Sequence, residues 1–217
     1  MSAKKLTIKC PHLALFVARR NSGKSHLMAH LLHTLARGRK FNWVLVISPT
    51  AFTGAWAEIV GRNHVHSEFD AEMLEEIMEQ QAELRDSNTD NPGLVILDDC
   101  LGAANFHSDT FTKLAASGRH YGITLWISFQ SYFKAPTVVR TNTDYLFILG
   151  TQNERVVKAL YDEFGGLGFE SQAALRAYTA TATANYGALC VDNLDQKAPT
   201  KIIRAPAKLP QFRIKQG

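Results

Sequence analysis

Cysteine is scarce, acidic residues are missing from the start of the chain, and no hydrophobic run is long. Three cysteines, Cys10, Cys100 and Cys190, stand far apart in 217 residues with no CxxC spacing. That excludes a zinc ribbon and a disulfide framework and leaves reduced, partly buried thiols. No apolar stretch approaches the roughly 20 residues needed to cross a bilayer. The opening MSAKKLTIKC has no signal-peptide core, so neither a membrane-spanning segment nor secretion is expected. No Asp or Glu precedes Glu58, whereas nine Lys or Arg do. After Asp195, Lys197, Lys201, Arg204, Lys208, Arg213 and Lys215 stand without an acid. A net charge of +4 distributed in this way suits an anionic partner such as nucleic acid, a solvated tail being the plainer alternative.

The length fits one sizeable α/β domain. We divide it into a single domain over residues 1–194 and a basic, proline-containing tail over 195–217. Short continuous apolar runs read as strands covered on both faces: Leu13–Val17, Trp43–Ile47, Leu94–Leu97, Ile123–Phe129 and Tyr145–Leu149. Weaker strand signals lie at Leu6–Cys10, His64–Phe69 and Ala184–Asp192. Helical patterns fall between them: Leu27 to Leu35, Phe52–Val60, Ala71–Leu84, Thr110–Ser117, Pro136–Arg140, Glu154–Phe164 and Glu170–Ala177. Strands alternating with helices predict a mostly parallel sheet with helices on both faces, and ligands in such folds sit at the C-terminal strand ends.

The polar clusters fall at those ends. After Leu13–Val17 comes Ala18-Arg19-Arg20-Asn21-Ser22-Gly23-Lys24-Ser25-His26, then a helix. Strand, glycine-containing loop and helix is the setting of a phosphate-binding P-loop, or Walker A motif. Gly23 lets the backbone approach phosphate, Lys24 reaches the β- and γ-phosphates, and the Ser25 hydroxyl ligates Mg²⁺. Ala18 stands where the pattern has its first glycine. Arg19 or Arg20 touches a phosphate, or both simply face solvent. LVIL followed by Asp98-Asp99 is a Walker B pattern: Asp98 holds Mg²⁺ opposite Ser25, and Asp99 orients or deprotonates the attacking water. Gln130, the first polar side chain after its strand, is placed to bond the γ-phosphate or that water. Arg119 begins at the far end of the same strand, a geometry that suits an arginine finger offered to a neighbouring subunit; Arg140 competes for that role. His26, His30 and His33 share a helix face but have no acid or cysteine nearby, and read as a polar face rather than a metal site. Cys100 reads as packing rather than a reactive thiol.

The segments ARRNSGKS, VISPT, LVILDDC, GRHYGITLWISFQ and VVRTNTDYLFIL together resemble the genome-packaging ATPases of large nucleo-cytoplasmic DNA viruses. This is the poxvirus-type family, found also in virophages and related transposons, within the FtsK/HerA superfamily. The resemblance covers about residues 10–165. It implies a P-loop NTPase fold with strand order 5-1-4-3-2, ATP and Mg²⁺ as cofactors, and a ring homo-oligomer, pentamer or hexamer. It implies threading of double-stranded DNA into a preformed capsid, with capsid proteins as partners and the virion and the cytoplasmic assembly site of the host cell as locations. Carried over by position, Lys24 and Ser25 form the Walker A pair, Asp98 and Asp99 the Walker B acids, Gln130 the glutamine after the strand, and Arg119 the arginine of the GRH segment. Two other readings compete: a nucleotide-gated DNA- or capsid-binding subunit that is no motor, and a small-molecule kinase.

Overall fold

The computed structural model describes residues 6–50, 52, 54–100, 106–150 and 153–214. Of the basic positions above, Lys4, Lys5 and Lys215 lie outside these, as does Thr53 of the predicted Phe52–Val60 helix. In chain order the elements are β1 (Leu13–Ala18), α1 (Lys24–Arg37), β2 (Trp43–Ile47), α2 (Trp56–Val60), β3 (Val65–His66), α3 (Ala71–Asp86) and β4 (Gly93–Leu97). There follow α4 (Asp109–Ser117), β5 (Ile123–Phe129), α5 (Thr137–Asn142), β6 (Tyr145–Leu149), α6 (Glu154–Glu163), α7 (Gln172–Ala182), β7 (Ala188–Asp192) and β8 (Thr200–Ile203).

The strands form one 8-stranded sheet in the order β3-β2-β4-β5-β1-β6-β7-β8. The pairs from β3 through to β6 are parallel, and β7 and β8 close the edge antiparallel. Numbering only the five longer parallel strands in chain order, the row reads 2-3-4-1-5, which is the expected 5-1-4-3-2 taken from the other side. The C-terminal ends of β4, β5, β1 and β6 therefore share one edge, and β1 lies between β5 and β6.

Successive strand side chains point to opposite faces, so each buried strand feeds two cores. Leu13, Leu15 and Val17 pack with Val95, Leu125, Phe111 and Leu160 beneath α3 to α7. Ala14, Phe16 and Ala18 pack with Met28, Leu32, Ile59 and Trp126 beneath α1 and α2. Within the second core the Phe16 and Phe147 rings stack at 4.7 Å. Side-chain caps start most of the long helices, satisfying amides that would otherwise lack partners. Asp70 caps α3, Ser108 α4, Asn153 α6 and Ser171 α7. α1 differs: it begins at Gly23 with no side-chain cap.

Three sequence expectations are revised. Leu6–Cys10 forms no strand. The Lys9 amide is committed to the Tyr145 hydroxyl at 3.0 Å, and both edges of β1 are already paired. The helix expected over Glu170–Ala177 starts after its Ser171 cap and runs on to Ala182. The strand expected from Ala184 starts only at Ala188, because Ala184–Tyr186 form a 3-10 turn.

The basic stretch after Asp195 contributes β8. There Lys201, 7% exposed, donates to Asp192 at 2.7 Å and Asp195 at 3.2 Å, tying β8 to β7. The chain then runs back across the histidine face of α1. The Pro206 carbonyl lies 2.7 Å from His26 Nε2, the Phe212 ring packs 4.7 Å from that of His33, and the Ile214 amide donates to the Ile59 carbonyl at 2.7 Å. Among the described residues, no group of three or more His, Cys, Asp or Glu is arranged to hold a metal ion.

One buried histidine gives the fold a pH dependence. His12 is 1% exposed. Its Nδ1 lies 2.8 Å from the Lys9 carbonyl, its Nε2 accepts from Trp126 Nε1 at 2.9 Å, and the Tyr145 ring meets it edge-on. Burial pulls its pKa down to about 3, so the imidazole is neutral in the fold. Below the unfolded histidine value of about 6.5 the unfolded chain takes up a proton that the folded chain refuses. Stability attributable to His12 is therefore complete above that pH, falls by up to about 1.4 kcal/mol per pH unit below it, and stops falling near the folded value. His30, lowered chiefly by burial, adds to the upper part of that window. Chemical denaturation at pH 7.5 and pH 5 checks this: stability should be lower at pH 5, and His12→Gln should flatten the dependence.

Candidate nucleotide-binding site

The loop between β1 and α1 is shaped by its backbone. Asn21 at φ 60 and Gly23 at φ 85 both take the left-handed region, which asparagine and glycine tolerate best. The Ser22 hydroxyl donates to the Arg19 carbonyl, closing the turn. With α1 uncapped, its first amides and the positive end of its dipole face the loop's concavity, an arrangement suited to an anion.

Opposite stand the acids at the end of β4. Asp98, 3% exposed, is fully engaged. One oxygen accepts from Ser25 Oγ at 2.7 Å and Trp56 Nε1 at 2.9 Å, the other from Ser128 Oγ at 2.9 Å. Ser128 Oγ also accepts the Asp99 amide at 2.8 Å, so one hydroxyl on β5 fixes both acids. Asp99 has φ 57. Its carboxylate accepts from Gln130 Nε2 at 3.1 Å and from Lys24 Nζ at 3.4 Å, and Lys24 Nζ is 3.7 Å from Asp98. Burial acts to raise the Asp99 carboxyl, but the Gln130 amide and the Lys24 charge outweigh it and hold it below the ordinary carboxylate value.

These groups border a cavity of about 500 Å³ lined by Arg19 through His26, Thr50, Asp98, Asp99 and Gln130. Ala18 ends β1 beneath it. A larger hollow of about 710 Å³ adjoins it through Ser25, His26, Thr50 and Asp98 and is walled by α2 and the irregular stretch Leu209–Arg213. Arg19 and Arg20 are exposed at the rim. His26 lines the cavity while its ring engages Pro206.

The structure thus brings together the loop, both acids and Gln130. It does not bring in either arginine. Arg119, in the 3-10 turn Gly118–Tyr121 before β5, lies at the opposite sheet edge, where it donates to Asp144 at 3.0 Å. Asp144 in turn accepts the Leu13 amide at 2.9 Å. Arg140 lies with its Cζ 5.6 Å over the Tyr132 ring. Cys100 is packed: it is 1% exposed, its thiol donates to the Ile47 carbonyl, and burial beside Asp98 and Asp99 lifts its pKa to about 12. Two contributors escaped the sequence reading. In the sequence Ser128 is one residue of an apolar strand, and Trp56 lies within the short helix expected over Phe52–Val60. The sole signal for Ser128 was a hydroxyl two residues before Gln130.

Ser25 Oγ and Asp98 supply hard oxygen donors side by side, which fits a Mg²⁺ ion that takes few protein ligands and completes its shell with phosphate and water.

Sheet order, the Gly23 turn and the acids at the end of β4 define a protein of the P-loop NTPase fold. The chain belongs to the poxvirus A32 protein family, whose model matches residues 2–161. It is 27% identical over 183 residues to protein 075L of Invertebrate iridescent virus 6, covering 83% of this chain and 70% of that one. It is 26% identical over 191 residues to protein L437 of Acanthamoeba polyphaga mimivirus, covering 82% of this chain and 66% of that one. Among solved structures it is similar to B204, the DNA-packaging ATPase of Sulfolobus turreted icosahedral virus, with a TM-score of 0.61 at 15% identity, covering 91% of this chain and 98% of that one. The pCW3 conjugation coupling protein TcpA shares the fold at a TM-score of 0.59 and 13% identity, with 88% of this chain and 59% of that one covered.

Proposed function

We propose that the chain is an ATPase that works as the motor subunit of a viral genome-packaging machine. It would drive double-stranded DNA into a preformed capsid as a ring homo-oligomer, at the assembly site of the infected cell and in the virion. The observation that carries the reading is the bonded cluster Lys24–Asp99–Gln130 beside Ser25–Asp98. It sets a cation for phosphate, a magnesium-suited oxygen pair and an ionised carboxylate around one cavity. The relatives support it: the family takes its name from a poxvirus protein, the similar proteins come from an iridescent virus and a mimivirus, B204 of Sulfolobus turreted icosahedral virus is a DNA-packaging ATPase, and B204 of Sulfolobus turreted icosahedral virus 2, a genome packaging NTPase, is known in complex with ATP-gammaS.

In this reading the amides from Gly23 to Ser25 and the Lys24 ammonium bind the β- and γ-phosphates. Mg²⁺, when bound, neutralises charge developing on the phosphates. Asp99, held ionised by Lys24 and Gln130, accepts the hydrogen of the attacking water, and the Gln130 amide fixes that carboxylate and lies within reach of the terminal phosphate. Ser128 and Trp56 hold Asp98 still, so little reorganisation is needed as the reaction proceeds. Arg119, remote from its own site and partly exposed, would serve a neighbouring subunit.

DNA contact in such a motor runs through phosphates and is sequence-independent. ATP hydrolysis should therefore rise on adding double-stranded DNA of any sequence. With roughly 6–10 phosphate contacts, affinity should fall about 10³–10⁵-fold between about 50 and 200 mM salt. Phosphate release with and without DNA across a salt series tests this. Hydrolysis indifferent to DNA, or a shallow salt slope, would remove the motor reading and leave a nucleotide-gated binding subunit.

A further inference from the structure

The terminal-phosphate end of the cavity is set by Asp99 and Gln130, which follow β4 and β5 on one side of β1. On the other side of β1 lie β6 and β7. A phosphate chain laid along the Gly23 loop with its end against Gln130 thus directs whatever it carries toward β6 and β7.

An aromatic side chain stands there. Tyr186 immediately precedes Gly187 and β7, and Ala188 of β7 pairs with Leu149 at the end of β6, which puts Tyr186 at the same sheet edge as the loop. Its ring reaches the loop itself: Tyr186 Cδ1 lies 3.4 Å from where a Cβ on Gly23 would sit. Yet 75% of the residue is exposed, more than Phe52, Phe133 or Leu194, the other large apolar residues exposed among the described ones. The ring thus stands in water while one side of it packs against the turn just before Lys24.

The backbone that presents it is unusual and fastened. Asn185 at φ 52 and Tyr186 at φ 58 are consecutive left-handed residues, a conformation that an aromatic residue rarely adopts and that clusters at functional sites. Arg204 Nη1 donates to the Ala184 carbonyl at 2.9 Å, and the Gly187 amide donates to the same carbonyl at 3.0 Å. Position 187 must be glycine, because a Cβ there would lie 2.1 Å from the Ala182 carbonyl oxygen. The turn is thus closed on itself and tied to the residue after β8, and it holds the ring against the Gly23 loop.

We propose that Tyr186 is the platform on which the base of the bound nucleotide stacks. The proposal rests on the reading of the Gly23 loop as a nucleotide site and adds the recognition of the nucleoside end. Stacking uses the π-face that every base has, so the platform favours purines over pyrimidines through contact area and does not read their edges. Gly23 supplies the turn beneath the ring: its φ of 85 favours glycine, and the ring lies at contact distance from it.

The test compares Mg²⁺–ATP with Mg²⁺–tripolyphosphate, which keeps the phosphates and lacks the nucleoside, by titration calorimetry on the parent, Tyr186→Phe and Tyr186→Ala. Tyr186→Ala should weaken ATP about 10- to 100-fold, the range expected for loss of one base–aromatic stack, and leave tripolyphosphate unchanged. Tyr186→Phe should bind both as the parent does. Undiminished ATP binding by Tyr186→Ala would overturn the proposal. Equal weakening of ATP and tripolyphosphate would also overturn it, since the ring would then only be shaping the loop. A parent that binds tripolyphosphate but gains nothing from the nucleoside sinks the platform alone, whereas a parent that binds neither sinks the nucleotide site beneath it.

Discussion

Asp99→Asn is expected to bind ATP as tightly as the parent and to hydrolyse it about 10²–10⁴-fold more slowly, the range attributed to a positioned general base. The substitution keeps the size of the side chain and an acceptor for the Gln130 amide, but removes the basic oxygen. Asp98, with its bonds to Ser25, Trp56 and Ser128, is untouched, so the phosphate and magnesium groups stay in place. Because Lys24 and Gln130 hold the Asp99 carboxyl below its ordinary value against the effect of burial, the base remains ionised throughout the neutral range. The acid limb of the parent's pH–rate profile should accordingly lie below the usual carboxylate range and disappear in Asp99→Asn. Single-turnover phosphate release beside a binding titration with ATP-gammaS separates the two effects. A variant that turns over at the parent's rate would take Asp99 out of the mechanism.

The second large effect concerns Arg119. If it completes a neighbour's site, its loss should cost about 10³–10⁵ in turnover, as for other arginine fingers. Its structural partner complicates the choice of variant. Asp144 is 5% exposed and ties Arg119 to the Leu13 amide at the start of β1, so Arg119→Ala would leave a buried carboxylate without its counter-ion, a change that is generally destabilising. Arg119→Lys keeps a cation beside Asp144 and loses the planar fork that a transferring phosphoryl group needs. It should therefore stay folded and still lose most activity. Mixing Arg119→Lys with Lys24→Ala subunits should restore part of the rate, because a mixed ring holds some sites with an intact Lys24 facing an intact Arg119. Full activity in homogeneous Arg119→Lys would make Arg119 a partner of Asp144 and nothing more, and would move attention to Arg140.

The parallel core was legible because a strand buried on both faces must be apolar throughout: WVLVI and YLFIL could be little else, and their structural bounds match. Leu6–Cys10 carried a weaker form of the same pattern and failed, because β1, the strand it leads into, is paired on both sides and the Lys9 amide is taken by the Tyr145 hydroxyl. The cap residues Ser108 and Ser171 mark helix starts that periodicity alone placed a residue or two away. The closing edge was less legible. β8 rests on Lys201 burying its charge between Asp192 and Asp195, and a lysine in a basic tail gives no sign of that. In the site, residues contiguous in sequence announced themselves, namely the Ala18–His26 loop and Asp98-Asp99. Of those that reach it across the sheet, Gln130 was marked as the first polar side chain after its strand, and the others were not. Trp56 meets Asp98 only because β2 and β4 are neighbours, Ser128 only because β5 pairs with β4, and Tyr186 was hidden inside a stretch read as one strand.

The central claim is that a magnesium-bound triphosphate lies between the Gly23 turn and the acids at the end of β4. A crystal structure of the chain grown with Mg²⁺ and ATP-gammaS tests it directly. The account predicts a metal ion about 2.0–2.1 Å from Ser25 Oγ, phosphate oxygens on Lys24 Nζ and the amides of Gly23 to Ser25, and Asp99 and Gln130 at the terminal phosphate. Nucleotide bound elsewhere, with Lys24 still paired to Asp99 and Ser25 still bonded directly to Asp98, would contradict it.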